Sequence, residues 1–431
     1  MPQYDFVVWS FFSGAMGLDI GFGLAGLPPN LCVEIDPKCC ETIRSNRPDV
    51  CLVDRSVCDL TAAELRELTG TFGDVDIVIG GPPCQSFSTG GNRCGLSDPR
   101  GNLIFEYLRL VNEIRPRHFL LENVASLVTA ALSHRPIKDR PGQRWNLSSY
   151  SQQDGSPTAD GAAPMQANEL GGTAIRRIID EVRVIGYDVR FGVLDAAEYG
   201  APQHRRRFIM LASRDGAPPP LPRPTHGPDS IPHRPFMTLR DVIADLMEDP
   251  GPHSNYGNFM ARFYALVPPG GNWRDIPKEL QEEALGASYA AGGGKTGFFR
   301  RLDWDKPAPT ITGKANRKAT GLCHPQALRP LSVKECARIQ GFPDDWAFAG
   351  SMHDAYQQIG NAVPVKLGEA VGRAVLEALR GGAAQASEAP DVAYMLDEAT
   401  RRLRAAARNN GRKRVPSISL FDASGADNAP A

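Results

Sequence analysis

Short apolar runs alternate with amphipathic stretches over the first 125 residues of the chain. The apolar runs predict buried strands, and the stretches between them carry apolar residues at helical spacing. We expect strands at residues 6–12, 31–35, 75–79 and 118–124, and helices at 18–24, 37–47, 62–68 and 103–114. This β-α-β alternation is typical of the α/β class with a doubly wound, mostly parallel sheet.

The alternation breaks at residues 132–172, which are rich in Ser, Gly, Pro, Gln and Asp and are typical of an inserted surface segment. It resumes with a helix at 174–185 and strands at 187–194 and 207–212. Prolines dominate the stretch from 217 to 235, and only short periodic stretches follow before helical patterns return at 333–340, 365–379 and 393–407.

This organisation predicts two domains and a tail. We expect a first domain that carries the insert, a smaller and irregular second domain, a return to the first domain, and a tail that is partly helical or disordered. The corresponding ranges are 1–214, 215–328, 329–380 and 381–431.

Composition narrows the class of protein. The 431 residues carry a net charge of −1, so a nucleic-acid site would have to be a local basic patch. The nine cysteines follow no disulfide framework and include no CxxC pair, which favours a reducing cytoplasm and gives no metal site. No apolar stretch approaches the roughly 18 residues that a membrane span needs. We therefore expect a cytoplasmic protein.

The segment Gly80-Gly81-Pro82-Pro83-Cys84 follows directly after the expected strand at 75–79. Glycines and prolines end the strand and present Cys84 on a stiff loop. Ligands of open α/β sheets bind at the carboxyl ends of the strands. Cys84 is therefore placed for nucleophilic attack on a bound substrate.

A glycine-containing turn, Phe12-Ser13-Gly14-Ala15-Met16-Gly17, follows the first expected strand. Its amides could face a ligand, although a plain tight turn explains the pattern equally well. Glu34 lies 20 residues after Gly14, at a strand end where an acid receives ribose hydroxyls. Asp59 is either a second ligand-binding acid, near the end of the third expected strand, or the N-cap of the next helix. S-adenosylmethionine, a nucleoside with a charged tail, suits this pocket.

Two polar segments follow other strands. Glu122 and Asn123 close the strand at 118–124, and an apolar site could keep a carboxyl there partly protonated, although a surface carboxylate is the alternative.

In the segment 203–207, strand alternation places Arg205 and Arg207 on one face, opposite His204 and Arg206. Such a face could hold phosphate or base oxygens, or could be a basic edge strand in water.

The order of these segments resembles that of the cytosine-C5 DNA methyltransferases over about residues 4–378. No single motif is decisive, but seven in the same order are highly specific. The matching segments are Phe12-Ser13-Gly14-x-x-Gly17, the acids Glu34 and Asp59, Gly81-Pro82-Pro83-Cys84-Gln85, Glu122-Asn123-Val124, Gln203-x-Arg205-x-Arg207, 329–343 and 358–364.

The resemblance implies a Rossmann-like class I methyltransferase fold with a target-recognition domain. It also implies transfer of a methyl group from S-adenosylmethionine to C5 of a cytosine flipped out of a specific site in double-stranded DNA. Cys84 would attack C6, Glu122 would bond N3 and the amine, and Asn123 would fix the loop. Arg207, with Arg205, would hold O2 of the base.

The resemblance further implies two sets of binding residues. Those expected at the cofactor are Phe12, Ser13, Gly14, Gly17, Glu34, Ile35, Asp59, Leu60, Pro82, Asn361 and Ala362. Those expected at DNA are Gln85, Ser88, Thr310, Arg300, Arg301 and Lys314. Each basic residue could equally be a solvated charge, and we expect residues 236–328 as a whole to read the target site.

The chain departs from the family pattern at two positions. Ser10 and Phe11 stand at the end of the first strand, where an acid is usual, and Met16 stands where a second glycine is common. Neither change removes a catalytic group, but both bear on cofactor affinity.

Two other functions compete with DNA methylation. Transfer RNA could be the substrate, although the Cys-Phe-Thr signature of that branch is absent from the sequence. A catalytically inactive DNA-binding homologue is the other, but Cys84, Glu122, Arg205 and Arg207 are all present. We expect a monomeric prokaryotic or phage enzyme, with a restriction endonuclease as a possible cognate partner.

Overall fold

The computed structural model describes residues 5–83, 103–133, 167–290, 297–314, 317, 321–381 and 390–409. The expected nucleophile Cys84, the expected DNA contacts Gln85 and Ser88, and residues 134–166 of the insert lie outside the described residues.

A seven-stranded sheet forms the centre of the first domain. Its strands in chain order are β1 (Val8–Phe11), β2 (Leu31–Val33), β3 (Cys51–Val53), β4 (Ile77–Gly80), β5 (His118–Val124), β6 (Asp188–Asp195) and β8 (Arg206–Ser213). A two-residue strand, β7 (Gln203–His204), precedes β8 outside this sheet. The strand order is β3-β2-β1-β4-β5-β8-β6, and β8 runs antiparallel to both of its neighbours. The doubly wound, mostly parallel sheet is confirmed.

The helices of the first domain lie where the periodicity predicts them. They are α1 (Gly17–Leu24), α2 (Pro37–Asn46), α3 (Ala62–Thr69), α4 (Leu103–Ile114), α5 (Thr173–Val184), α11 (Val365–Leu379) and α12 (Val392–Asn409). Apolar residues of α3, α4, α5 and α12 share a core with one face of the sheet. Those of α1 and α11 pack on the other face.

Helices α1 and α11 approach closely because glycines face each other. A Cβ on Gly21 would lie 2.5 Å from the carbonyl oxygen of Val365, and one on Gly368 would lie 3.0 Å from that of Leu18. Only a residue without a side chain permits this backbone contact. The contact holds the turn after β1 against residues 361–363, at the carboxyl edge of the sheet.

The expected second domain contains more regular structure than its sequence pattern indicates. Its elements are α6 (Leu239–Ile243), α7 (Asn258–Tyr264), α8 (Lys278–Leu285), β9 (Arg300–Arg301), β10 (Ala308–Pro309) and β11 (Leu322–Cys323). Phe263, Tyr264 and Phe299 are buried in a small core of its own. Strand β10 pairs in parallel with β7, so this region joins the edge of the first domain.

Two helices lead the chain back to the sheet. Helix α9 (Val333–Gln340) begins with a capping box between Ser332 and Glu335 and ends at Gly341, as expected. Helix α10 (Met352–Asn361) is absent from the sequence prediction, although Ser351 and Asp354 form the same type of capping box.

The tail helix α12 packs against the first domain. Arg402 donates to the carbonyl oxygen of Val193 at 2.9 Å and pairs with Glu198 at 3.1 Å. Met395, Leu396 and Ala399 are buried in the core beside β6. The predicted helix is thus confirmed and covers the edge strand of the sheet. Of the helices described, none is long and apolar enough to span a bilayer.

Candidate active site

A cavity of about 550 Å³ opens at the carboxyl ends of β1, β2, β4 and β5. Of the residues expected at the cofactor, nine line it: Phe12, Ser13, Gly14, Gly17, Glu34, Ile35, Pro82, Asn361 and Ala362. Of those expected in catalysis, Glu122, Asn123, Arg205 and Arg207 line it as well. The fold therefore brings both groups, widely separated in sequence, to one space.

The turn after β1 uses an unusual backbone. Phe12, Gly14 and Met16 adopt positive φ angles of 58°, 55° and 69°. Glycine is favoured at such angles, which explains why it is common at the position of Met16. The Met16 side chain is fully buried with Cys32, Ile43 and Val50, and this packing offsets the backbone cost.

Glu34 closes the turn from the neighbouring strand end. One carboxylate oxygen accepts the Gly14 amide at 2.7 Å, and the other accepts the amides of Ile35 and Asp36 at 2.9 Å each. Glu34, the acid expected to bind the ribose, therefore also stabilises the conformation of the turn. Ile35 lies beside it, 62% exposed, and presents an apolar surface to the cavity.

Asp59 and Leu60 do not line the cavity, and their role at the cofactor stays a prediction. Asp59 ends a short 3-10 helix, Val57–Asp59, with an exposed side chain, and Leu60 is buried in the core. Arg55, Ser56 and Val57 line this part of the cavity instead. Asp59 is not a helix cap either, because Thr61 caps α3.

Glu122 and Arg207 form the polar end of the cavity. The Nε of Arg207 lies 2.9 Å from Oε1 of Glu122, and both side chains are largely buried. Burial raises the pKa of Glu122 above its ordinary value, although Arg207 and Arg205 draw it down. A carboxyl group with a raised pKa can keep a proton to donate to a ring nitrogen.

Asn123 fixes the start of the loop that leads to Cys84. Its amide donates to the carbonyl oxygen of Pro82 at 3.2 Å, while its own oxygen accepts the Val124 amide at 2.9 Å. Gly81 leaves room for the Glu122 carboxylate, since a Cβ there would lie 2.9 Å from Oε2 of Glu122.

The alternation predicted for residues 203–207 is present. His204 and Arg206 both lie 3.1 Å from a carboxylate oxygen of Asp195. Arg205 points the other way and is 2% exposed. Its guanidinium donates to the carbonyl oxygens of Ile311 and Gly360 at 2.7 Å each. Arg205 therefore joins three segments of the chain.

The threonine expected at DNA lies beside these groups. Thr310 is exposed and donates to the carbonyl oxygen of His204 at 2.9 Å. Next to it, the Ile311 amide donates to Gln203, whose side-chain amide bonds Gln340 in α9 at 2.6 Å. Thr310 is thus held at the rim of the active site.

The basic residues expected at DNA differ in their surroundings. Arg301 donates to the carbonyl oxygens of Pro325, Val267 and Gln326 at 2.7–3.1 Å, which stabilises the second domain. Arg300 is largely buried, and burial lowers its pKa. Lys314 is exposed. Lys314 therefore fits a DNA contact better than Arg301 does.

The structure adds an acid that sequence reasoning missed. Asp19, in the first turn of α1, lines the cavity although it is only 1% exposed. Ser10, at the end of β1, also lines it. The sequence signal is only indirect: Ser10 stands where an acid is usual and Asp19 follows nine residues later, but the burial of Asp19 depends on how α1 packs.

The sheet order with its one antiparallel strand, together with a cavity at the strand ends, defines a class I methyltransferase. Residues 6–135 and 165–377 match the family model for C-5 cytosine-specific DNA methylases. The chain belongs to this family and is a DNA (cytosine-5-)-methyltransferase of the restriction-modification type.

Its similarity to individual relatives covers most of the chain. It is 37% identical to the Type II methyltransferase M.Eco47II of Escherichia coli over 87% of this chain and 79% of the relative. It is 33% identical to M.Sau96I of Staphylococcus aureus over 87% and 76%, respectively. A solved prophage DNA modification methyltransferase from E. coli shares the fold, with a TM-score of 0.54 at 21% identity over 87% of this chain and all of that one.

Proposed function

We propose that the cavity binds S-adenosylmethionine and that Cys84 forms a covalent adduct with C6 of a cytosine flipped out of a specific duplex site. S-adenosylmethionine would then be the methyl donor, and Cys84 the nucleophile, for DNA cytosine-C5 methylation.

The lining of the cavity fits the cofactor. Glu34 offers carboxylate oxygens where a ribose would lie, and Ile35 offers an apolar surface for an adenine. The turn of positive φ angles at residues 12–16 lets a ligand approach the backbone. Bound S-adenosylmethionine supplies the electrophilic methyl group.

The catalytic residues then act on the base. The Cys84 thiolate adds to C6, and the electron pair of the C5–C6 bond becomes available at C5. Glu122 donates a hydrogen bond at N3, and Arg207 holds O2, so both stabilise the charge that enters the ring. After C5 takes the methyl group, a base removes the C5 proton and the C6–sulfur bond breaks.

The pairing of Glu122 with Arg207 is the observation that carries this proposal. A buried carboxyl with a raised pKa lies 2.9 Å from a guanidinium, within the cavity that the cofactor turn also lines. Base flipping follows from this depth, because a stacked cytosine could not reach a buried carboxyl at the sheet edge.

A trapping experiment tests the nucleophile. Duplex DNA carrying 5-fluorocytosine should form a denaturation-resistant adduct with the wild type, because fluorine blocks the final proton loss. Cys84→Ser should form none while still binding the cofactor, since a hydroxyl is far less ionised than a thiol. The matched control is Cys58→Ser, which replaces an exposed cysteine and should trap normally. An adduct in the Cys84 variant would refute the assignment.

We also propose that residues 236–328 read the DNA sequence. The sheet edge has room for one base and the cofactor, so neighbouring base pairs need another surface. The small core around Phe263 and Phe299 supports a separate unit, and β10 holds Thr310 at the rim of the site.

A chimera tests this division of labour. Replacing residues 236–328 with those of a relative that has a different target should transfer that target at some cost in rate. Bisulfite sequencing of the modified DNA identifies the site. An active chimera that methylates the original site would refute the assignment and direct attention to the 132–172 insert.

Four further properties stay predictions of the sequence. They are a monomeric state, a cytoplasmic location, a prokaryotic or phage origin and a cognate restriction endonuclease that forms no stable complex with this chain.

A further inference from the structure

Asp19 is a buried carboxyl group on the wall of the cofactor cavity. It is the third residue of α1 and lies at the carboxyl edge of β1 and β2. Only 1% of its surface is exposed, yet it lines the cavity. A ligand in the cavity would therefore meet an acid that is shielded from bulk water.

Among the described residues, Asp19 has no basic side chain within ion-pair distance. Its polar neighbours are the Ser10 hydroxyl and the Cys32 thiol, with Sγ 3.9 Å from Oδ1. Arg47 attracts it only through space. Burial accordingly raises the pKa of Asp19 to about 6.

The end of β1 is neutral and small. Ser10 stands there in place of an acid, and its hydroxyl lies 2.9 Å from that of Ser13. The space that an acidic side chain would fill at the strand end is left to two hydroxyl groups, with Asp19 beside them.

We propose that Asp19 binds the α-ammonium group of the cofactor's amino-acid tail, in place of an acid at the end of β1. This inference rests on the proposed binding of S-adenosylmethionine. An ammonium group beside Asp19 would provide the missing cation and would keep the carboxylate ionised. Asp19 is then a binding and positioning residue, which sets the direction of the tail and hence of the sulfonium.

Calorimetry with two ligands isolates this contact. The probes are S-adenosylhomocysteine and its deamino analogue, 4-(5′-adenosylthio)butanoate, which lacks only the ammonium group. Asp19→Asn should weaken the binding of S-adenosylhomocysteine by about 10- to 100-fold, as expected for the loss of a charge-assisted bond. The affinity for the analogue should stay within about twofold of the wild-type value. Asp180→Asn is the matched control: it removes an exposed carboxylate of α5 that does not line the cavity, and should change neither affinity.

The outcomes separate the inference from the function on which it rests. If the wild type binds neither probe, the proposed cofactor site is wrong. If the wild type binds but Asp19→Asn binds S-adenosylhomocysteine equally well, or loses both probes equally, only the role of Asp19 is refuted. Moving the acid back, in Ser10→Asp combined with Asp19→Asn, should restore the preference for the ammonium ligand.

A pH titration of the wild type needs no variant. The ratio of the two affinities should fall as the pH drops through about 6, because only ionised Asp19 attracts the ammonium group. Of its charged or titratable neighbours, Cys32 has a pKa well above this range, and Arg47 stays protonated. Groups that contact the shared part of both ligands cancel in the ratio. A ratio that is constant from pH 5 to pH 8 would refute the role of Asp19.

Discussion

Replacement of Arg205 by lysine should damage stability more than chemistry. The guanidinium is 2% exposed and bonds the carbonyl oxygens of Ile311 and Gly360 at 2.7 Å each. Lysine lacks the planar fork that reaches both oxygens. We expect one carbonyl to be left unpaired, at a cost of about 1–3 kcal/mol. Since about 1 kcal/mol shifts the Tm of a domain of roughly 200 residues by about 2–4 °C, the Tm should fall by several degrees.

The matched control is Arg207→Lys, two residues further along the chain in β8. Arg207 pairs with Glu122 at the cavity, so its replacement should lower kcat strongly and change the Tm little. Differential scanning fluorimetry and single-turnover methylation of duplex DNA, run on both variants, give the two readouts. If Arg205→Lys kept the wild-type Tm and lost only kcat, Arg205 would act on the base directly, and its role as a structural bridge would be refuted.

Two further substitutions test the cofactor turn. Glu34→Ala should weaken the binding of S-adenosylhomocysteine by about 1.5–3 kcal/mol in calorimetry. The ribose loses a charged acceptor, and the amides of Gly14, Ile35 and Asp36 lose the carboxylate that accepts them. Unchanged affinity would mean that the nucleoside lies elsewhere. Met16→Gly should destabilise the protein by roughly 1–3 kcal/mol in urea unfolding, because the loss of buried packing, about 2–5 kcal/mol, exceeds the roughly 1–3 kcal/mol of backbone strain released. A more stable glycine variant would show that the strain dominates.

The sequence predicts the sheet and its covering helices because their patterns are long and regular. Helices α4, α9 and α11 begin and end at the predicted residues. Strand β3, Cys51–Val53, leaves a weaker pattern than the equally short β2, because only Val53 is buried in β3 whereas all three residues of β2 are buried. Helix α10 was missed because its polar residues resemble a loop motif, although the Ser351 capping box marked its start.

The site was predictable where a residue's role follows from a strand end. Glu34, Glu122 and Asn123 lie at the carboxyl ends of strands, and all three line the cavity. Asp59 lies one 3-10 turn beyond its strand with an exposed side chain, so its position does not follow from a strand end in the same way. Asp19 was missed because its burial depends on how α1 packs, which no local pattern reveals.

The contacts of Arg205 join the segment proposed to read DNA to the sheet edge proposed to modify it. Arg205 donates to the carbonyl oxygen of Ile311. The Gln203 side chain accepts the Ile311 amide and also bonds the side chain of Gln340. The Thr310 hydroxyl donates to the carbonyl oxygen of His204 in β7. The segment also packs flush on α10, since a Cβ on Gly360 would lie 2.5 Å from the carbonyl carbon of Thr312. A displacement of residues 308–312 must therefore disturb either Arg205 or α10. Because Asn361 and Ala362 of that region line the cavity, the proposed recognition segment and the proposed cofactor site are mechanically linked.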